Sequence, residues 1–158
     1  MGEIVKKRIY LIAGLGVILD QMTKLFACLY LKNIEIIPNF FNLTYVENTG
    51  GAWGILDNNR VVLIGVSVIT ILIINKYINS DVQTSKLSSI CYGMLLGGIF
   101  GNLFDRIFRG FVVDFLNFTI FGYNFPVFNI ADSIIIIGVI LMFIEVIGET
   151  YGSKSKKK

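Results

Sequence analysis

Four stretches of the chain are apolar for close to the length that a helix needs to cross a bilayer: residues 9–31, 61–77, 87–108 and 130–147. A hydrocarbon core of about 30 Å takes roughly 20 apolar residues in helical form, because inside lipid every backbone amide and carbonyl must find its partner within the segment. That requirement removes most soluble folds. Composition agrees, since 54% of the 158 residues are hydrophobic and the mean hydropathy is +0.72, well above a soluble domain. Asp20, Gln21 and Lys24 interrupt the first stretch, and three more follow it, so it reads as a permanent helix rather than a cleavable signal. The expected fold is therefore an α-helical integral membrane protein: one membrane domain of four transmembrane helices, external segments at 32–60 and 109–129, and a basic tail at 153–158.

Lysine and arginine beside each span set the orientation, because they are retained on the cytoplasmic side. Lys6, Lys7, Arg8, Lys76, Lys86, Lys154, Lys156, Lys157 and Lys158 fall on one side, against Lys32, Arg60, Arg106 and Arg109 on the other. Both termini are expected in the cytoplasm. The net charge of +3 then reflects anchors beside anionic lipid rather than a nucleic-acid surface. Cys28 and Cys91 lie within apolar spans and read as small buried hydrophobes rather than a disulfide or metal pair. The chain has no histidine, which excludes Ser-His-Asp and Cys-His nucleophiles and histidine-bound zinc. Carboxylates, lysines, hydroxyls and amides remain.

The external segments are rich in aromatic and β-branched residues and are expected to be ordered. Ile34-Glu35-Ile36 and Asn42 to Val46 read as strands, broken by Pro38 and by Gly50, Gly51 and Gly54, giving a small external β-rich cradle. Phe40, Phe41, Tyr45, Trp53, Phe111, Phe115, Phe118, Phe121, Tyr123, Phe125 and Phe128 are expected to face head groups and acyl chains, either as anchors or as substrate contacts. The tail from Ser153 is expected to be disordered at the membrane surface.

Several polar residues need explaining. Asp20 and Lys24 share a helical face one turn apart and can pair, as a packing element or, for Lys24, as the base of a Ser/Lys peptidase using Ser67 or Ser133. Gly93, Gly97 and Gly101 recur every four residues and make a face that another helix can approach closely. Asn102, Asp105, Arg106 and Arg109 form a polar stripe at the end of that helix, with Asp105 and Arg109 spaced to neutralise each other. Asp114 sits between bulky apolar residues in "GFVVDFLNF", and Asp132 opens an apolar run in "FNIADSIIII". Asn129, Asp132 or Ser133 can cap a helix there. If the two carboxylates meet in a low dielectric, one keeps its proton and the pair becomes an acid and a base, as in aspartic peptidases.

Five segments, "DQMTK" at 20–24, "ENTGGAWG" at 47–54, "GNLFDR" at 101–106, "VVDF" at 112–115 and "FNIADS" at 128–133, occur in an order and placement that resemble the lipoprotein signal peptidases (signal peptidase II) along nearly the whole chain. The resemblance implies a membrane aspartic endopeptidase that removes the signal peptide of a diacylglyceryl-modified prolipoprotein by cutting before the lipidated cysteine. It implies a catalytic dyad of Asp114 and Asp132, with support from Asn48, Asn102, Arg106, Asn129, Ala131, Asp20, Lys24 and Gly54. It also implies inhibition by globomycin and a bacterial inner-membrane location; the orientation of the spans puts the active site near the external leaflet, the chemistry requires no metal or organic cofactor, and a monomer among membrane lipids is expected. Gly51 and Trp53 depart mildly from the family pattern and bear on pocket shape. The competing readings are a small proton-coupled transporter with Asp20, Lys24, Asp105, Arg106 and Asp132 as a relay, and a membrane assembly factor that uses the glycine face.

Overall fold

The computed structural model describes residues 2–80 and 85–155, with elements in the order α1 (Glu3–Tyr30), β1 (Asn33–Ile37), β2 (Phe41–Asn48), a short 3₁₀ turn (Ala52–Gly54), α2 (Arg60–Ile78), α3 (Lys86–Phe108), β3 (Val112–Ile120), β4 (Tyr123–Asn124) and α4 (Ile130–Ser155). All four long helices are long and apolar enough to cross a membrane. Helix α4 continues through Ser155, so the tail expected to be disordered from Ser153 begins as helix; Lys156, Lys157 and Lys158 lie outside the described residues.

Helix α3 is the hub and packs on α1, α2 and α4. Its glycines explain how. A Cβ on Gly97 would stand 2.9 Å from the Ala13 carbonyl oxygen and 3.2 Å from its Cα, and one on Gly93 would meet Ile12 at 2.7 Å. Helices α1 and α3 are therefore in backbone contact, which lipid-embedded helices achieve only with small residues. Ile9, Ala13, Ile71, Ile74, Ile78, Leu95, Leu96 and Leu103 fill the apolar part of the bundle. Ser85 starts α3 by accepting the Ser88 amide at 3.0 Å, an N-cap.

The strands form one antiparallel order, β1-β2-β3-β4. The longest, β3, comes from the second external segment, in which the sequence reading named no strand. Positive φ at Phe121 (50°) and Gly122 (79°) makes the two-residue turn that closes β3 onto β4. The sheet is seated on the end of α1 through Ala27, Leu31, Val113 and Phe115.

Two expectations are corrected here. Phe115 is buried at this seat and does not face lipid, because its strand position points toward α1. Cys28 is exposed, at the end of α1 beside Tyr45 of β2, whereas Cys91 is buried as expected. Of the other external aromatics, Phe118 stacks between Phe41 and Phe128, with ring centroids 4.5 and 5.7 Å away, while Trp53, Phe121, Tyr123 and Phe125 remain exposed.

Candidate active site

Helix α4 begins at the "FNIADS" stretch, and its first turn is closed by side chains from two helices. Asn129 is the cap: its Oδ1 accepts the Asp132 amide at 2.9 Å, and its own amide donates to Asp132 Oδ2 at 3.2 Å. This is a reciprocal capping box with Asp in the Glu/Gln position. The amide of Ala131, another orphan donor of the first turn, donates to Asp20 Oδ1 of α1 at 2.9 Å. Ala131 is fully buried because α3 crosses here in backbone contact; a Cβ on Gly98 would lie 2.5 Å from the Ala131 carbonyl oxygen. Asp132 is thus fixed by its backbone, and its Oδ1 accepts Asn102 Nδ2 at 2.7 Å.

Asp114 comes from β3. Antiparallel pairing sets Val46 opposite Asp114 and Asn48 opposite Val112, so Asn48 and Asp114 are diagonal neighbours on one face of the sheet. Asn48 Nδ2 donates to Asp114 Oδ2 at 2.8 Å, and its Oδ1 accepts the Gly50 amide at 2.9 Å, which orients the side chain. Asn129 Nδ2 donates to Asp114 Oδ1 at 2.7 Å and to Asn102 Oδ1 at 3.2 Å. Asp114 is 1% exposed. Burial first, and then the charge of Asp132, push its carboxyl up to about 7 against the opposing hydrogen bonds from Asn48 and Asn129.

Both carboxylates line one cavity of about 330 Å³, together with Asn48, Asn102 and Arg106. Its walls include Trp53, Phe125, Phe128 and Ile136. Arg106 Nη2 donates to the Gly50 carbonyl at 3.0 Å and so ties down the loop that carries Trp53, whose φ is 55°. A second cavity of about 350 Å³ shares Asn48 and Asp114 and is bordered by Thr49, Gly54 and Asp57. Behind the first cavity lies a charged cluster. Lys24 Nζ is 2.9 Å from both Asp20 Oδ2 and Asp105 Oδ2, and all three side chains are fully buried. Asp105 also pairs with Arg109 and accepts the Val113 amide at 3.2 Å. Such a cluster is costly to bury and destabilising to break.

Residues 12–148 match the family described as signal peptidase (SPase) II. The chain is 39% identical over 150 residues to the lipoprotein signal peptidases of Staphylococcus aureus strains JH9 and Newman, covering 93% of this chain and 92% of theirs. The chain belongs to the signal peptidase II family. Two solved structures agree in fold. One, a bacterial membrane enzyme obtained by the in meso method at 2.3 Å resolution, is 38% identical with a TM-score of 0.82, covering 90% of this chain and 88% of that one. The other, at 1.9 Å resolution, is 39% identical with a TM-score of 0.78, covering 87% and 91%.

The signal peptidase II motifs meet around this one region in different roles. Asn48, Asn102, Arg106, Asp114 and Asp132 line the first cavity, whereas Asp20, Lys24, Asn129 and Ala131 stand behind it and Gly54 borders only the second. The Ser/Lys pairing is not formed: Ser67 donates to the Leu63 carbonyl, Ser133 to the Asn129 carbonyl, and Lys24 is engaged by Asp20, Asp105 and Asn102. Sequence reasoning noted Gln21 only as a polar interruption of the first span and gave it no role at the site; its Nε2 lies 3.1 Å from both Asp20 and Asp105 and its Oε1 accepts from Arg109 at 3.0 Å. Its position beside Asp20 in an apolar span was the available signal.

Proposed function

We propose that this protein is a membrane aspartic endopeptidase that removes the signal peptide from diacylglyceryl-modified prolipoproteins, cutting before the lipidated cysteine. It works at the external face of the bacterial inner membrane, with both termini in the cytoplasm, and globomycin blocks it. The observation that carries this reading is a pair of carboxylates, Asp114 and Asp132, on one mainly apolar cavity, with Asp114 poised near neutrality by burial and by its partner's charge.

The chemistry needs one ionised and one protonated member. Both carboxylates accept an N–H on each oxygen, so burial decides between them: the fully buried Asp114 holds the proton, and the half-buried Asp132 takes the ionised role. Asp132 removes a proton from a water whose oxygen attacks the scissile carbonyl carbon, while Asp114 protonates the carbonyl oxygen to give a gem-diol. Collapse breaks the C–N bond: the proton on Asp132 passes to the cysteine amine, and a diol hydroxyl returns a proton to Asp114. The apolar walls accept acyl chains and exclude bulk water. A transporter relay is disfavoured because α2 runs from Arg60 to Ile78 as an almost unbroken apolar span and the buried charges gather at one end of the bundle.

The test is cleavage of a diacylglyceryl-modified prolipoprotein by the purified protein in detergent, with the new N-terminus read by mass spectrometry. Wild type is expected to release a lipidated cysteine N-terminus. Asp114→Asn and Asp132→Asn should fold and lose at least about 10³-fold in rate. Full cleavage by either folded variant would remove the dyad.

A further inference from the structure

Lys24 takes no part in the steps just described, yet its ammonium is fully buried between two carboxylates and an amide. An ammonium has three N–H donors and no acceptor. Its three partners are Asp20 Oδ2, Asp105 Oδ2 and Asn102 Oδ1, each at 2.9 Å. The third contact decides which way round the Asn102 amide stands. With Oδ1 held by the cation, and by Asn129 Nδ2 at 3.2 Å, Nδ2 must point away, and it donates to Asp132 Oδ1 at 2.7 Å. A flipped amide would set an NH₂ against the ammonium and a carbonyl oxygen against a carboxylate, two repulsions in a poorly screened interior.

We propose that Lys24 is a positioning residue for the hydrolysis: by locking the Asn102 amide, it keeps an N–H donor on Asp132 and holds that residue as the acceptor-only, water-activating member of the pair. With that donor in place each carboxylate holds an N–H on both oxygens, and the deeper burial of Asp114 then leaves the shared proton there; without it Asp132 keeps one donor against two. Asp20 and Asp105 serve to hold the ammonium in place, and Asp20 in addition caps α4 through Ala131. The charged groups around the dyad are then Asp20 and Lys24 from α1, Asp105 and Arg106 from α3, and Glu47 and Asp57, which border the second cavity beside Asp114. Only Lys24 reaches Asp132 through a side chain that has two possible orientations. The proposal rests on the Asp114/Asp132 reading and deepens it.

The experiment compares wild type with Asn102→Leu, with Lys24→Met/Asp20→Asn, and with the triple variant, measuring kcat and KM between about pH 5 and pH 9 alongside thermal unfolding. Lys24→Met/Asp20→Asn removes one charge of each sign and leaves Asp105 with Arg109; Asn102→Leu leaves both ion pairs of Lys24 intact. Both variants are expected to lose kcat by about 10- to 100-fold with KM within about threefold, and to move the acidic limb of the pH profile to higher pH. The triple variant should fall no further, because the two changes cut the same link. Multiplying losses, or an unmoved acidic limb, would make Lys24 merely structural and overturn the proposal. Should the charge-depleted variant fail to fold, Asn102→Leu carries the test, and an unmoved limb there overturns it. Asp132→Asn run in parallel separates the readings: wild-type cleavage by it removes the dyad itself, whereas its inactivity beside normal Asn102→Leu kinetics removes only the Lys24 link.

Discussion

The two halves of α3 hold their neighbours by different means. From Ser89 to Gly98 the helix is fixed by contact: glycine against the backbone of α1 and α4, leucine and isoleucine in the gaps, and no buried charge. From Gly101 to Arg109 it is fixed by hydrogen bonds and ion pairs, in which Asn102 and Asp105 each contact two or more other elements. Apolar packing in lipid tolerates small rotations, because neighbouring acyl chains are as apolar as leucine. A buried polar network does not, since each donor left unpaired costs its desolvation. The chain therefore places its candidate chemistry where geometry is set by directional bonds and leaves the rest of the bundle to shape.

Variants on either side should separate these two kinds of constraint. The largest stability effect is expected from Gly97→Leu, whose side chain has to enter the Ala13 backbone; α1 and α3 would be forced apart at a cost of at least about 3 kcal/mol, seen as loss of folded protein in a thermal melt. In the polar network, which extends from Asn102 of α3 through Asn129 to Asp114 of β3, the sign reverses. The carboxyl of Asp114 is raised from 3.8 to about 7 in the folded protein, so the stability it contributes is complete below pH 3.8 and is lost as pH rises through about 7. Asp114→Asn is accordingly expected to melt above wild type at about pH 8, by up to roughly 2–4 kcal/mol, with the gap closing toward about pH 4 and with cleavage abolished. A smaller effect follows from Leu96→Ala in the apolar half: about 1–3 kcal/mol of lost packing, with turnover per folded molecule unchanged. Normal activity in Asp114→Asn, or lost turnover in folded Leu96→Ala, would break the contrast.

How much of this was legible in the sequence follows the same division. The spans at 61–77 and 87–108 match α2 (Arg60–Ile78) and α3 (Lys86–Phe108) to within a residue, because hydropathy over some 20 residues is a summed and robust signal. Asp114 and Asp132 stood out because each is a carboxylate in an apolar setting. Long-range polar pairing was not legible. Asp20 could be matched with Lys24 by its i, i+4 spacing, but nothing local tells that Lys24 also reaches Asp105 and Asn102, or that Asp20 caps α4. Nor did β3 announce itself: "VVDFLNFTI" is as apolar as a buried helix segment, and only pairing with β2 makes it a strand. Phe115 was misplaced for the same reason. In a two-sided strand, alternation decides direction, and both faces of β3 begin apolar.

The proposed hydrolysis turns on one proton shared unequally between two carboxylates, and the pH dependence of cleavage tests that most directly. With Asp114 as the protonated member, raised to about 7 in the free protein, kcat/KM should describe a bell whose alkaline limb has an apparent midpoint near that value, and a folded Asp114→Asn variant should be inactive across the whole range. A rate that holds level or keeps rising through about pH 9 would contradict the assignment.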